Sequence, residues 1–257
     1  MALFEQKLEE NVAVVTMNSG ENRFNFEFFD AFHAVLDELE ANQAINSLVV
    51  TSSHEKIWTN GIDLEWISKK IEENGPDFFN DFGVELYRLF NRLVTFPMIT
   101  YAAISGHAFA GGAIMACAFD YRYMRGDRGW FCFPEIDIKI PFTPYLNAVA
   151  LKTIPLFKLN QMQLSGERLT AEECLKYNII NKICDPYFTT KEKGKGTGLG
   201  LAVVFGVVKS HKGDMLIDSE VGRGTEIKVI LPVIEGYGAS NVFEKQNMSD
   251  LQGEEHI

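Results

Sequence analysis

Two glycine-bearing turns constrain this chain more than any other feature. The first is Trp58-Thr59-Asn60-Gly61-Ile62-Asp63-Leu64, and the second is Gly106-His107-Ala108-Phe109-Ala110-Gly111-Gly112-Ala113. Each follows an apolar run that reads as a strand (47–51 and 99–105), and each opens into a helical pattern. A chain built of strand, tight turn and helix in alternation is expected to fold as an α/β sheet with mainly parallel pairing. The other segments agree. Residues 12–17 are a β-branched run, and 25–40 carry Phe29, Phe32, Leu36 and Leu39 at helical spacing. A helix over 64–73 is broken by Gly75-Pro76, and a longer amphipathic one over 77–95 is ended by Pro97. Residues 113–119 read as an apolar helix, with short strands over 120–124 and 130–133. Thr170-Ala171-Glu172-Glu173 has capping-box spacing ahead of a helix reaching about residue 178.

Composition sets the remaining bounds. With 257 residues, 46% of them apolar, the chain can bury one large core or two small ones. A net charge of −11 argues against a nucleic-acid surface, which needs a basic stripe, although local charge can still hold an anionic ligand. Cys117, Cys132, Cys174 and Cys184 have no metal-ligand spacing, so reduced cytoplasmic thiols and no metal are expected. Residues 1–10 mix charge with apolar residues, and no apolar run has transmembrane length. No leader and no membrane partner are therefore expected. The terminal Glu255-His256-Ile257 is not a peroxisomal address, and the expected location is cytoplasmic.

The turns suggest a chemistry. A glycine turn entering a helix leaves backbone N–H groups unpaired and pointing at whatever sits there. Two such turns facing one spot make an oxyanion hole, with the N–H groups of Ile62 and Gly111 as donors. Removing a proton α to a thioester makes an enolate, and each preorganised donor to its oxygen is worth roughly 3–4 kcal/mol. Gly111 lets the acyl group approach closely, whereas the side chain of Ile62 is free to vary. Either turn alone reads better as a tight strand-to-helix connection; the pair, in this order and ahead of Glu135, reads as a site. Glu135 is either a solvated strand-end carboxylate or, among Trp130, Phe131, Phe133 and Ile136, a buried one whose raised pKa makes it a base near neutrality. His107 is left unassigned, and Asp120, Asp127 and Asp137 are expected to serve turns and surface pairs.

Residues 1–185 resemble the crotonase (enoyl-CoA hydratase/isomerase) superfamily. The resemblance is carried by Asn60-Gly61-Ile62-Asp63-Leu64, Gly106-His107-Ala108 through Gly111-Gly112, Asp120-Tyr121 and Pro134-Glu135. It implies a crotonase-like ββα spiral core and an acyl-CoA substrate entering along Asn60, Gly61, Ile62 and Asp63, against Gly111 and Gly112. It further implies no cofactor beyond the coenzyme A of the substrate, and a homo-oligomer, trimeric by family. Hydratases of the family use two glutamates; this chain keeps one at Glu135 and has Ile114 where the other belongs. A single base suits a 1,3-proton shift, and residues 120–129 and 135–138 are similar to Δ3,Δ2-enoyl-CoA isomerases. The resemblance thus implies conversion of 3-enoyl-CoA to 2-enoyl-CoA, with hydration, hydrolysis and decarboxylation as the other acyl-CoA chemistries.

Residues 186–233 resemble a different family, the ATP-binding domain of sensor histidine kinases. The carriers are Pro186-Tyr187-Phe188-Thr189-Thr190-Lys191, Gly196-Thr197-Gly198-Leu199-Gly200-Leu201 and Gly222-Arg223-Gly224-Thr225. In that family the glycine run is a lid whose amides hold phosphates, which marks Gly196, Gly198 and Gly200 as nucleotide-binding candidates. The favoured reading of the run is nonetheless a glycine loop simply joining strand to helix. The asparagine helix and the Asp-x-Gly-x-Gly turn that complete such a site are absent upstream, so weak or no ATP binding is expected. The segment makes the C-terminal part atypical, replacing the helices that close crotonase-like sites. A helix over 201–208, strands over 215–219 and 226–231, and a poorly ordered polar tail over 234–257 complete the expectations.

Overall fold

The computed structural model describes residues 2–184, 204, 208, 214–220 and 224–230. The chain divides into two compact units, 1–207 and 208–257. Strands β1 (Phe4–Glu9) and β2 (Val12–Met17) open the first as an antiparallel pair. Strand β3 (Arg23–Phe24) leads into helix α1 (Phe26–Ala41), whose start is capped by Asn25, its Oδ1 accepting from the Phe28 N–H at 2.9 Å. Strands β4 (Ser47–Ser52), β5 (Ile57–Thr59) and β6 (Gly61–Ile62) precede helices α2 (Leu64–Asn74) and α3 (Phe78–Val94). Then come β7 (Ile99–Ile104), β8 (His107–Phe109), α4 (Gly111–Ala118), β9 (Tyr121–Arg125) and β10 (Phe131–Cys132). Helices α5 (Pro144–Leu151) and α6 (Leu156–Ser165), strand β11 (Arg168–Leu169), helix α7 (Ala171–Lys176) and strand β12 (Lys182–Cys184) follow. The second unit holds an antiparallel hairpin, β13 (Asp214–Glu220) and β14 (Gly224–Ile230), with Asp214 opposite Ile230.

Six strands form the main sheet in the order β1-β2-β4-β7-β9-β12, parallel throughout except for the first pair. A second sheet, β11-β10-β8-β5, is parallel from β5 through β10. The core runs between the helices and the main sheet and is unusually aromatic. Phe24, Phe28, Phe29 and Phe32 are fully buried, at roughly 1.5–3 kcal/mol each.

The expected helices and strands of the first 133 residues are present, within one or two residues of their expected ends. Strand β1 was hidden within the mixed charge of residues 1–10: as an edge strand it buries Phe4 yet leaves Leu8 half exposed, so no alternation marks it. Helices α5 and α6 also carried no assigned pattern. The capping box is complete, with Thr170 Oγ1 accepting from the Glu173 N–H and Glu173 Oε2 from the Thr170 N–H. That helix stops at Lys176 rather than residue 178, because Asn178 turns left-handed at φ +58°. Val204 and Val208 are helical, and the two C-terminal strands are present. The boundary at 185/186, the lid glycines Gly196, Gly198 and Gly200, and the tail over 234–257 lie outside the described residues.

Candidate active site

Parallel strands send their C-terminal ends to one edge, where open α/β sheets place their ligands. In the second sheet β5, β8 and β10 are parallel neighbours, with Thr59 paired to Ala108 and Cys132 to Phe109. Their ends release Asn60-Gly61-Ile62, Ala110-Gly111 and Phe133-Pro134-Glu135. The two glycine turns and the glutamate therefore leave the sheet on the same side.

The turns touch through their backbones. Gly61 has φ +74°, and a methyl group built on it would meet the Gly111 and Gly112 amide nitrogens at 2.6 and 2.9 Å. No side chain fits there. The first turn is held from outside by Asn22, a buried residue at φ +51° whose Nδ2 donates to the Ser52 hydroxyl and the Trp58 carbonyl, both at 2.8 Å. The Asn22 carbonyl accepts from the Thr59 hydroxyl at 2.7 Å, and that Oγ1 in turn accepts from the Gly61 N–H at 3.0 Å. Asn22 escaped the sequence reading; Ser19-Gly20-Glu21-Asn22 signals a turn, but nothing in it signals burial.

Both candidate donors are left over by this backbone pattern. Asp63 gives its N–H to the Phe24 carbonyl at 3.0 Å, and successive amides of an extended strand point to opposite sides. The Ile62 N–H therefore faces away from β3. The first hydrogen bond of α4 runs from the Ile114 N–H to the Ala110 carbonyl, so the amides of Gly111, Gly112 and Ala113 stand ahead of the ladder. No side chain caps this end, and Ala110 is held at φ +50°, a strained value for a residue with a Cβ. All eight residues of α4 are buried, Ile114 among them.

Glu135 sits in a single 3₁₀ turn, Pro134–Ile136, fixed by the Ile140 N–H donating to the Glu135 carbonyl at 3.0 Å. It is 8% exposed, and its Oε2 is buried without a hydrogen-bond partner. Burial pushes its pKa up to about 7. Of its expected apolar neighbours in sequence only Phe131 and Phe133 are buried; Trp130 and Ile136 reach the surface.

Asn60 and Asp63, expected along the acyl-CoA path, both have work inside the fold. Asn60 Nδ2 donates to Glu21 Oε2 at 3.0 Å, and Asp63 caps α2 by accepting from the Trp66 N–H at 3.1 Å. Gly112 packs against Thr59, the close approach its residue type allows. Phe24, which the sequence did not single out, lays its ring edge beside Gly111. His107 has a buried Nδ1 with no hydrogen-bond partner and a pKa lowered by burial and by Arg168; it lines a cavity of about 550 Å³ with Trp130 and Arg128, at the opposite ends of the same strands. Asp120 accepts from the Thr100 N–H and hydroxyl, and Asp127 pairs with Arg125, as expected of turn and surface carboxylates. All four cysteines are buried and unpaired. Among the described residues no cluster of three His, Cys, Asp or Glu could hold a metal, and no helix is long and apolar enough to cross a membrane.

The enoyl-CoA hydratase/isomerase family model matches residues 7–189. The chain belongs to the enoyl-CoA hydratase/isomerase family. Its fold is the crotonase fold: an enoyl-CoA hydratase structure from Geobacillus kaustophilus superposes with a TM-score of 0.67, at 21% identity over 74% of this chain and 70% of that one. Enoyl-CoA delta isomerase 2, peroxisomal, of Arabidopsis thaliana is 29% identical over 164 residues, 63% of this chain and 68% of its own. Relatives named as hydratases and dehydratases match at similar identity. The chain thus spans about two thirds of the length of such relatives. Residues 164–235 match a second model, the histidine kinase-, DNA gyrase B- and HSP90-like ATPase. Sensor kinase CckA of Brucella abortus is 54% identical over 55 residues, 21% of this chain and 6% of the kinase. The family member is therefore chimeric in its matches, with a kinase-like piece in its C-terminal part.

Proposed function

We propose that this member of the family isomerises 3-enoyl-CoA to 2-enoyl-CoA. The observation that carries the reading is Glu135, a buried carboxylate with an unpartnered Oε2 and a pKa near 7, released from the same sheet edge as the uncapped start of α4. At pH 7–8 half or more of this group is ionised and able to take a proton from C2. The thioester oxygen turns anionic as it does so, and the Ile62 and Gly111 N–H groups receive it. The acid formed at Glu135 then returns the proton at C4. Positioned acid–base catalysis of this kind contributes roughly 10²–10⁴ in rate.

Ile114 supports isomerisation over hydration, because an alkyl side chain at the second carboxylate position cannot activate water. The reaction needs no cofactor beyond the coenzyme A of the substrate. The same reading takes the chain to be a cytoplasmic homo-oligomer that binds neither nucleic acid nor membrane. Incubation with 3-hexenoyl-CoA is expected to give 2-hexenoyl-CoA and no 3-hydroxyacyl-CoA. Hydroxyacyl product from 2-hexenoyl-CoA at a comparable rate contradicts the reading.

A second reading rests on the ATPase match over residues 164–235. In it the chain is a non-catalytic nucleotide-binding or interaction module centred on Gly196, Gly198 and Gly200. ATP binding abolished by Gly198→Val, with no acyl-CoA turnover by the native chain, favours that reading.

A further inference from the structure

The buried helix α4 has two unlike ends. Its amide end is open, whereas its carbonyl end is closed by two cations from elsewhere in the fold. Lys152, at the end of α5, donates from Nζ to the Ala118 and Phe119 carbonyls at 2.8 and 3.0 Å. Arg122, at the start of β9, donates to the Phe119 carbonyl at 2.7 Å, the Asp120 carbonyl at 3.3 Å and the Ile179 carbonyl at 2.8 Å. Arg122 is 4% exposed and, among the described residues, forms no ion pair within 4.0 Å. A buried guanidinium satisfied by carbonyls is a costly way to finish a helix that a glycine or asparagine could end. Asp120 offsets part of the charge: its Oδ1 lies 3.6 Å from Lys152 Nζ, while its Oδ2 is held by Thr100. Two cations against one carboxylate leave this end of α4 net positive.

We propose that Lys152 and Arg122 are positioning residues for the oxyanion hole. They fix α4 from its far end and add positive potential along its axis, so that the open amides at Gly111 favour a developing negative oxygen. An eight-residue helix is about 12 Å long. A unit charge at that range, added to the helix dipole in a partly buried setting, shifts an anion's binding by about three- to tenfold. The inference rests on the reading of Gly111 as an oxyanion donor, and its test separates the two.

The test compares acetoacetyl-CoA, which can ionise to an enolate seen by its ultraviolet absorbance, with butanoyl-CoA, which stays neutral. Lys152 is one-third exposed, so Lys152→Met is tolerable in the fold, and Lys152→Gln serves as a second variant should the methionine not fold. The expected result is a three- to tenfold loss of enolate affinity, with butanoyl-CoA affinity changed less than twofold and Lys152→Arg restoring the native ratio. A merely structural role weakens both ligands alike, and that result overturns the proposal. An enolate preference in the native protein that survives Lys152→Met overturns the clamp alone. A native protein with no enolate preference overturns the clamp and the oxyanion reading together.

Discussion

Gly61 and Gly111 lie so close that neither turn can move without the other: an added Cβ at Gly61 would reach 2.6 Å from the Gly111 nitrogen. The two elements expected to share one anion are thus held at backbone contact by the absence of a side chain.

Gly61→Ala tests that contact. It places a methyl group against main-chain atoms at a residue with φ +74°, where an L side chain is strained as well. A loss of roughly 2–4 kcal/mol in urea unfolding is expected, with acyl-CoA turnover falling at least as far as stability requires. Gly83→Ala, in α3 with nothing within 4 Å, is the control and is expected to stabilise by about 0.5–1 kcal/mol. Equal effects at the two positions contradict the account.

Asn22→Ala removes two buried donations, to the Ser52 hydroxyl and the Trp58 carbonyl, together with the Oδ1 that accepts from the Ser19 N–H; the Ser52 hydroxyl keeps only its bonds to the His54 N–H and the Ile57 carbonyl. The expected cost is about 2–4 kcal/mol, read as a lowered denaturant midpoint with unchanged slope. A change below 0.5 kcal/mol shows that the first turn does not depend on it.

Glu135 makes stability depend on pH in an uncommon direction. Its folded pKa of about 7 lies above the ordinary glutamate value of 4.5, so the folded protein binds the proton more tightly than the unfolded chain. Its contribution is fully present below pH 4.5 and is lost as pH rises through 7. Glu135→Gln removes this penalty. It is expected to be more stable than the native protein at pH 8 by about 2–3 kcal/mol, with the gap closing below pH 4.5. A gap that is constant with pH places the titration elsewhere.

Much of this was legible in the sequence because the period of burial and the period of the backbone coincide. Phe29, Phe32, Leu36 and Leu39 mark α1, and the runs at 47–51 and 99–105 mark the buried parallel strands beside it. The two glycine turns and Glu135 were readable because each residue type answers a local demand: room for backbone approach, or an acid among apolar neighbours. Strand β1 lacked that coincidence: Glu5, Lys7 and Glu9 line one face, and on the other Gln6 and the half-exposed Leu8 follow Phe4, so only one residue of this edge strand is buried. Asn22, Phe24, Arg122 and Lys152 were missed for another reason. Their partners are 36, 87, 57 and 34 residues away, taken at Trp58, Gly111, Ile179 and Ala118 respectively, and no spacing rule reaches that far.

The most direct measurement is the pH profile of 3-hexenoyl-CoA isomerisation by the native protein and by Glu135→Gln. The native kcat/KM is expected to rise with pH through about 7, where the buried carboxylate ionises, and then to level off. Glu135→Gln is expected to lose at least about 10³ of that rate while still binding butanoyl-CoA. A variant that keeps the native rate, or a native profile flat between pH 5 and 8, contradicts the assignment of Glu135 as the base.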